Sequence, residues 1–246
     1  MARLFWLFLV VATNCNSADL PLVVGPTGFP DVSGGRWMIV SRAELEAGAR
    51  ANGQPLPPLG PPPKLGGTFK NEPMDKLIIG DSEGWMANLA AYRQGVKRAA
   101  DVLPNAKIDL VSLTGTPFEN QFTLLGYVPA GTRPGGPWTA VSRLFAKPPG
   151  ELVLLKEWDF GLDGGGVVLL DDMLNTKIGG ARATFIVTQN GDVTETMIRW
   201  ITGTRQFELI AECKLTKGCA DPDEWRQIVN TIPVAPISTP MKPVQQ

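Results

Sequence analysis

The sequence predicts an α+β fold in which an antiparallel β-sheet is covered by helices. After Pro104, runs rich in β-branched and aromatic residues alternate with Gly, Pro and Asn-Gly breaks, a pattern typical of strands. The pair Asn190–Gly191 tolerates the positive φ of a type I′ turn, so it predicts a hairpin between the runs on either side. Segments with helical spacing of apolar residues precede and follow these runs and predict the covering helices.

The predicted strands follow one another along the second half of the chain. A tight return at Thr202–Gly203–Thr204 joins the last two of them, so three consecutive antiparallel strands are expected around it and around Asn190–Gly191. The predicted strands are 107–113, 121–128, 138–145, 152–160, 167–170, 181–188, 193–201 and 206–213.

Two amphipathic helices are predicted on either side of the strands. The first starts at Asp81 or Ser82 as N-cap, runs to about Leu103 and is stopped by Pro104. The second starts at Asp221, with Pro222 in the first helical position, and carries an apolar stripe to residue 232. Together with the strands they predict a domain over residues 67–232.

An N-terminal arm, residues 19–66, precedes this domain. Residues 37–40 read as a short strand, and Ser41 with Glu44 forms a capping box that opens a helix to about Arg50. Residues 54–64 are rich in proline, which favours an extended polyproline II conformation. This segment is either a stiff spacer or a docking strand for an aromatic groove. The arm is expected to be partly disordered, and residues 233–246 form a disordered tail.

The first eighteen residues, 1–18, have the features of a secretory signal peptide. Arg3 supplies a positive charge, residues 4–12 form an apolar run, and small residues allow cleavage after Ser17 or Ala18. The apolar run is about half of the roughly 20 residues that a transmembrane helix needs. We therefore expect a periplasmic or secreted protein that is not integral to the membrane once the leader is removed.

The number and positions of the three cysteines favour an exported protein. Removal of the leader takes Cys15 with it and leaves Cys213 and Cys219, which we expect to form a disulfide that pins a turn. A redox-active pair is the alternative, but such pairs usually have two residues between the cysteines.

The composition excludes several classes of function. The chain has no histidine, which removes Ser-His-Asp and Cys-His catalysis and His-ligated metals. Its net charge of −1 gives no positive electrostatic potential to attract the phosphates of a nucleic acid, so no nucleic-acid partner is expected. No cofactor or metal site is predicted.

Carboxylate chemistry remains open without histidine. Glycoside hydrolysis needs only a pair of acids, and the predicted strands and their ends carry Glu119, Glu157, Asp159 and Glu195. The spacing of these acids along the chain sets no pair at the required separation.

Aromatic residues offer a different kind of site. Trp138, Trp158 and Trp200 lie in predicted strands, where most tryptophans belong to a core. The alternative is an aromatic-lined groove for a glycan, lipid or peptide formed by these three side chains.

Part of the sequence resembles a known family. Residues 177–184, Asn190–Gly191, residues 207–210 and residues 225–232 together look like the second half of the PsbP-like fold. The segment 127–131 followed by Trp138 is similar to one in exported bacterial proteins of this kind. The resemblance covers about residues 105–232. It implies an α/β/α sandwich with a central antiparallel sheet, and a family whose members mostly serve as binding or assembly subunits.

These observations lead to one expected function and two alternatives. We expect a non-enzymatic, exported binding or assembly factor of the bacterial cell envelope, with an envelope protein, a peptide or a glycan as partner. The first alternative is a structural component of an envelope secretion or conjugation apparatus that docks through the proline-rich segment. The second is a carboxylate-dependent glycan hydrolase.

Overall fold

The computed structural model of the chain describes residues 35–51, 53, 55, 62–70, 75–80, 87, 89–130 and 137–233. They form an α+β fold built on a mostly antiparallel mixed sheet of nine strands, which confirms the predicted fold class. The predicted leader (1–18), most of the proline-rich segment 54–64 and residues 234–246 lie outside the described residues.

The strands are numbered in chain order. A separate pair, β1 and β7, runs parallel, while the larger sheet has the order β2-β3-β9-β10-β11-β6-β5-β4, with β8 added beside β9. Among the described strands of the larger sheet, only β3 and β9 are parallel neighbours. The strands are β1 Trp37–Val40, β2 Lys64–Thr68, β3 Lys76–Ile79, β4 Thr123–Ala130, β5 Ala140–Lys147, β6 Glu151–Asp159, β7 Val167–Leu170, β8 Thr176–Ile178, β9 Ala181–Asn190, β10 Val193–Thr202 and β11 Arg205–Lys214.

The α-helices are short. They are α1 Arg42–Ala51, α2 Leu89–Gln94, α3 Ala99–Val102, α4 Pro117–Gln121 and α5 Pro222–Asn230. No helix in the described part of the chain combines the length and the apolar character that crossing a membrane requires.

The central hairpins form where the sequence predicts them. Asn190 pairs with Val193 around the first turn, and Thr202 pairs with Arg205 around the second. Gly191 has φ +60°, a conformation that glycine adopts without steric cost. The three consecutive antiparallel strands are thereby confirmed as β9, β10 and β11.

The two faces of the sheet bury different side chains. On the aromatic face, which carries Phe185, Ile198 and Phe207, a buried cluster also includes Phe118 of α4 and Trp225 of α5. Side chains alternate along each strand, so the neighbouring residues point to the opposite side. This opposite side, here called the glutamate face, carries Ile186, Met197 and Ile210 packed with Leu89 of α2, together with Glu195, Glu208 and Glu212.

Helix α5 confirms the prediction for the C-terminal helix. Asp221 accepts a hydrogen bond of 2.9 Å from the backbone N–H of Glu224, and Pro222 occupies the first turn, where a missing N–H costs nothing. Trp225, Ile228 and Val229 are buried in the cluster of the aromatic face. The capping residue and the apolar stripe therefore fix both the start and the packing of this helix.

Part of the N-terminal arm packs on the domain. Strand β1 pairs with β7, and the predicted capping box forms at Ser41, where Glu44 Oε2 accepts from the Ser41 N–H at 2.6 Å. Strand β2, which the sequence did not predict, lies at the end of the arm and pairs with β3 at one edge of the larger sheet. Residues 37–40 of the arm, and residues 64–68 at its junction with the domain, are thus strands of the two sheets.

The prediction of one continuous helix over residues 81–103 is wrong, because the described part forms two short helices, α2 and α3, with a break between them. Helix α2 ends at Gln94, Gly95 turns the chain, and the N–H and C=O of Lys97 pair with those of Tyr127 on β4 at 2.8 and 2.9 Å. Because β4 is an edge strand, its outward backbone groups need partners, and this bridge supplies them in place of another helical turn. The spacing of apolar residues along the chain gives no information about this hydrogen-bonding requirement of β4.

The predicted strand at 107–113 is also wrong. Lys107 makes one backbone hydrogen bond to Trp138 O, at 2.8 Å, and the following residues are irregular. Ile108 and Leu113 are buried there, and the Val111 N–H donates to the Glu157 carboxylate at 2.9 Å. A buried side chain replaces a neighbouring strand as the partner of this backbone.

Candidate ligand-binding cleft

Cys213 and Cys219 form the predicted disulfide, with their Cα atoms 5.8 Å apart. Cys213 lies near the end of β11, and a single 3-10 turn, Leu215–Lys217, leads to Gly218. Gly218 has φ +74°, a left-handed conformation that favours glycine. The disulfide therefore closes a tight loop between β11 and the start of α5.

A cleft lies between this disulfide loop and the turn that joins β5 to β6. Strand β6 pairs with β11 so that Leu152 faces Glu212, which places the turn residues beside Cys213. The cleft has a volume of about 280 Å³. Its lining includes Lys147, Pro148, Pro149, Glu151, the disulfide, Lys214 and Glu224.

Glu151 is the unusual member of this lining. It is 8% exposed, and its Oε1 atom has no hydrogen-bond partner among the described residues. Burial raises the pKa of its carboxyl above the usual value; the nearby Lys147 charge opposes that rise and the Glu224 charge adds to it. A buried acceptor without a donor is costly in a folded protein, so this carboxylate is suited to a donor brought by a ligand.

Lys147 does not donate a hydrogen bond to the Glu151 carboxylate. Its Nζ lies 3.9 Å from Glu151 Oε2, beyond ordinary hydrogen-bond distance. The same Nζ is 3.4 Å from Gln121 Oε1 and 5.5 Å from the centre of the Phe122 ring. These contacts hold the ammonium near α4, and Oε1 of Glu151 has no donor in the part of the chain that the structure describes.

The structure does not bring the three tryptophans of the predicted groove together. Trp200 is 1% exposed and stacks on Phe207 with ring centres 5.1 Å apart, on the aromatic face. Trp158 pairs across strands with Gln206, the neighbour of Phe207, so it points to the other face. Trp138 is half-buried in a third cluster with Val102, Ile108 and Val141.

The four acids considered for hydrolysis are also dispersed. Glu119 accepts from the Gly115 N–H at 2.7 Å beside α4, and Asp159 accepts from the Gly161 N–H at 3.0 Å. Glu157 is buried on the aromatic face, and Glu195 is buried on the glutamate face. Within the described ranges, no His, Cys, Asp or Glu side chains are grouped so that they could hold a metal ion.

On the glutamate face, two carboxylates accept hydrogen bonds from the backbone, and one of them has a raised pKa. Glu195 Oε2 accepts from the Ala87 N–H at 2.5 Å, and Glu212 Oε2 accepts from the Leu89 N–H at 3.0 Å. Burial, with additions from the Glu212 and Glu208 charges, raises the pKa of Glu195 to about 7 against the pull of the Ala87 hydrogen bond. These two carboxylates hold the backbone that enters α2.

Glu208 behaves differently because it has a cation beside it. Burial raises its pKa, but the charges of Arg199 and Lys156 and the hydrogen bond from Arg199 outweigh burial and lower the pKa below its usual value. Glu208 therefore stays ionised next to the protonatable Glu195.

The sequence interpretation missed Glu151 and Lys147. Both flank the segment Pro148–Pro149–Gly150, which marks a turn between two predicted strands. An acid that opens a strand directly after such a turn is ordinarily solvated, whereas here the disulfide loop and Glu224 of α5 lie across the cleft beside it. What would have revealed Glu151 and Lys147 as cleft residues is the proximity of this turn to the cysteine pair in the fold. That proximity depends on strand order.

Comparison with protein-family models, with curated proteins and with solved structures found no match to this chain.

Proposed function

We propose that this chain is an exported, non-enzymatic binding protein of the bacterial cell envelope, and that the cleft beside the disulfide takes its ligand or a group of its partner. The observation that carries the proposal is the buried Glu151 carboxylate, which lines the cleft with Oε1 unpartnered among the described residues. Such a group is a cost to folding that a bound donor would offset.

Two further observations support the proposal. The Cys213–Cys219 disulfide lines the cleft, and structural disulfides persist mainly in oxidising compartments. The resemblance of residues 105–232 to PsbP-like proteins points in the same direction, because that family consists mostly of binding and assembly subunits.

Export is tested on the full chain with a C-terminal tag in a bacterial host. Cells are fractionated, and free thiols are alkylated before denaturation. We expect the tagged protein in the envelope fraction, with Cys213 and Cys219 protected from alkylation until a reductant is added. Accumulation in the cytoplasm with both thiols free would contradict this part of the proposal.

Binding at the cleft is tested by photo-crosslinking in the same cells. A photo-reactive amino acid replaces Lys214, which lines the cleft, or Lys107, which is exposed near the opposite end of β5. We expect a discrete adduct from position 214 that position 107 does not give. Equal adducts from both positions, or none from 214, would count against the cleft as the binding site.

The hydrolase alternative predicts a different result. The purified protein would then turn over a panel of cell-wall and extracellular glycans, and Glu195→Gln or Glu157→Gln would abolish the turnover. The binding proposal predicts no turnover by the wild-type protein on that panel.

A further inference from the structure

We propose that the cleft binds an aliphatic primary ammonium group, held through the carboxylate of Glu151. This inference rests on the proposed binding function and names the chemistry of the ligand.

The requirement for a donor comes from Glu151 itself. An ionised carboxylate only accepts hydrogen bonds, and Oε1 has no donor among the described residues although Glu151 is 92% shielded from solvent, being 8% exposed. Oε1 itself lies beneath the surface of the cleft. The last torsion of a glutamate is soft, so rotation of the carboxylate can present an oxygen to a donor in the cleft. A ligand that brings a donor therefore recovers the cost of a desolvated, unpaired acceptor.

The carboxylate of Glu151 itself favours a cationic donor over a neutral one. Glu224, Lys147 and Lys214 also line the cleft, so the lysines balance the acids and the attraction for a cation is local to Glu151. Lys147 stays 3.9 Å from Oε2 and is drawn toward Gln121 and Phe122. A charge-assisted hydrogen bond is roughly twice as strong as a neutral one, so an ammonium fits this carboxylate better than a hydroxyl does.

The geometry favours an ammonium over a guanidinium. A guanidinium binds a carboxylate most strongly through two parallel hydrogen bonds, one to each oxygen. Here Oε2 faces Lys147, so a single oxygen is offered to the ligand. A compact point charge with a tetrahedral donor set matches that single acceptor.

The apolar part of the lining matches a methylene chain. Pro148, Pro149, Ala220 and the disulfide contribute carbon and sulfur surface to the cleft. Lysine-like groups bury such a stem along apolar surface and place their charge at a polar end. The ammonium can come from a lysine side chain of a polypeptide or from a free alkylamine.

The test measures backbone amide shifts of the full chain by two-dimensional NMR during titration with two matched pairs of probes. The peptide arm compares N-acetyl-lysine methylamide with N-acetyl-norleucine methylamide, which has the same stem without the ammonium, and with the arginine analogue. The free-amine arm compares n-butylamine with n-butanol. We expect millimolar affinity for the amines, with saturable shifts at Gly150, Glu151 and Cys219.

Tighter binding of the lysine derivative than of butylamine would assign the group to a polypeptide, and the reverse order would assign it to a free amine. Glu151→Gln, nearly the same shape without the charge, should weaken both amines at least about tenfold. Glu44→Gln, at an exposed capping residue of α1, should change neither affinity. Glu151→Asp provides a second variant that keeps the charge and should bind more weakly than wild type but more tightly than Glu151→Gln.

The inference is overturned if the norleucine derivative or butanol shifts the same amides equally, if the arginine derivative binds more tightly than the lysine one, or if Glu151→Gln binds undiminished. A persistent adduct at position 214 without amine binding would reject the ammonium ligand and leave the binding function standing. If position 214 gives no adduct and no amine binds, both the ammonium ligand and the binding function are rejected.

Discussion

The guanidinium of Arg143 and the carboxylate of Glu157 form an ion pair inside the protein, with Nη2 and Oε1 2.6 Å apart. Their side chains are 9% and 0% exposed, and the second oxygen of Glu157 accepts from the Val111 N–H at 2.9 Å. The pair joins neighbouring strands β5 and β6, and through Val111 it attaches the irregular segment that follows α3 to the sheet. Glu157 therefore has a structural function that its position in a predicted strand did not indicate.

Arg143→Met should destabilise the protein strongly, because it leaves Glu157 buried without its cation. Removing one partner of a buried pair typically costs about 3–5 kcal/mol. The free energy of unfolding is measured by urea denaturation. Arg143→Met combined with Glu157→Gln should recover part of the loss, since no uncompensated charge remains.

The matched control is Arg98→Ala, which removes an exposed pair with Asp101 on α3. We expect no measurable change in its urea midpoint because solvent screens such pairs. Equal effects of the two arginine substitutions would show that the buried position of Arg143 carries no special energy.

The stability of the protein should fall as the pH rises through the range in which Glu195 titrates. In the folded state its pKa is raised from 4.5 to about 7, with Tyr92, Glu208 and Glu212 close by. Between these values the folded protein holds a proton that the unfolded chain releases, so each rise in pH favours unfolding. Glu195→Gln should reduce this fall, leaving the part due to other carboxyls whose pKa burial raises, and should be more stable than wild type at about pH 8 by roughly 1–3 kcal/mol.

The measurement is the urea midpoint of wild type and variant between about pH 5 and pH 8. Glu46→Gln, at an exposed position of α1, serves as the control and should keep the wild-type profile. Parallel pH profiles for wild type and Glu195→Gln would contradict the assignment of the titration to Glu195.

The features predicted correctly from the sequence are those that local chemistry determines. Asn190–Gly191 specifies its turn, the Ser41 and Asp221 caps specify helix starts, and the pair Cys213 and Cys219 is close enough along the chain to bond. Each of these signals needs only a few adjacent residues.

The features that failed depend on partners distant in the chain. Lys97 leaves the predicted helix because β4 is an edge strand, and Val111 leaves the predicted strand because Glu157 is its partner. The candidate cleft is of the same kind, since it forms where β6 lies beside β11 and its disulfide loop. Strand order decides all three, and periodicity carries no information about strand order.

The disulfide should contribute about 2 kcal/mol to stability, because it closes a short loop with a sequence separation of 6. Cys213→Ser combined with Cys219→Ser should lower the free energy of unfolding by that amount. Dithiothreitol should lower the wild-type midpoint similarly and leave the double variant unchanged, which serves as the internal control. A double variant as stable as the oxidised wild type would refute the contribution.

Gly126→Ala should destabilise the edge of the sheet where Lys97 pairs with β4. Gly126 has φ +149°, and a Cβ there would overlap Val96 Cγ1 and lie 2.6 Å from the Lys97 carbonyl oxygen. The backbone of Lys97 cannot move away without breaking its two hydrogen bonds to Tyr127. We expect a loss above about 2 kcal/mol in urea denaturation.

Gly191→Ala is the matched control because it separates backbone strain from crowding. Gly191 also has a positive φ, +60°, but a Cβ there would meet nothing within 4 Å. The left-handed conformation alone costs about 1–2 kcal/mol for a residue with a Cβ, so this variant should lose less stability than Gly126→Ala. Faster hydrogen exchange at the Lys97 and Tyr127 amides should accompany Gly126→Ala alone. If the two variants lose equal stability and both leave these amides protected, the close approach of Lys97 to Gly126 does not hold the edge.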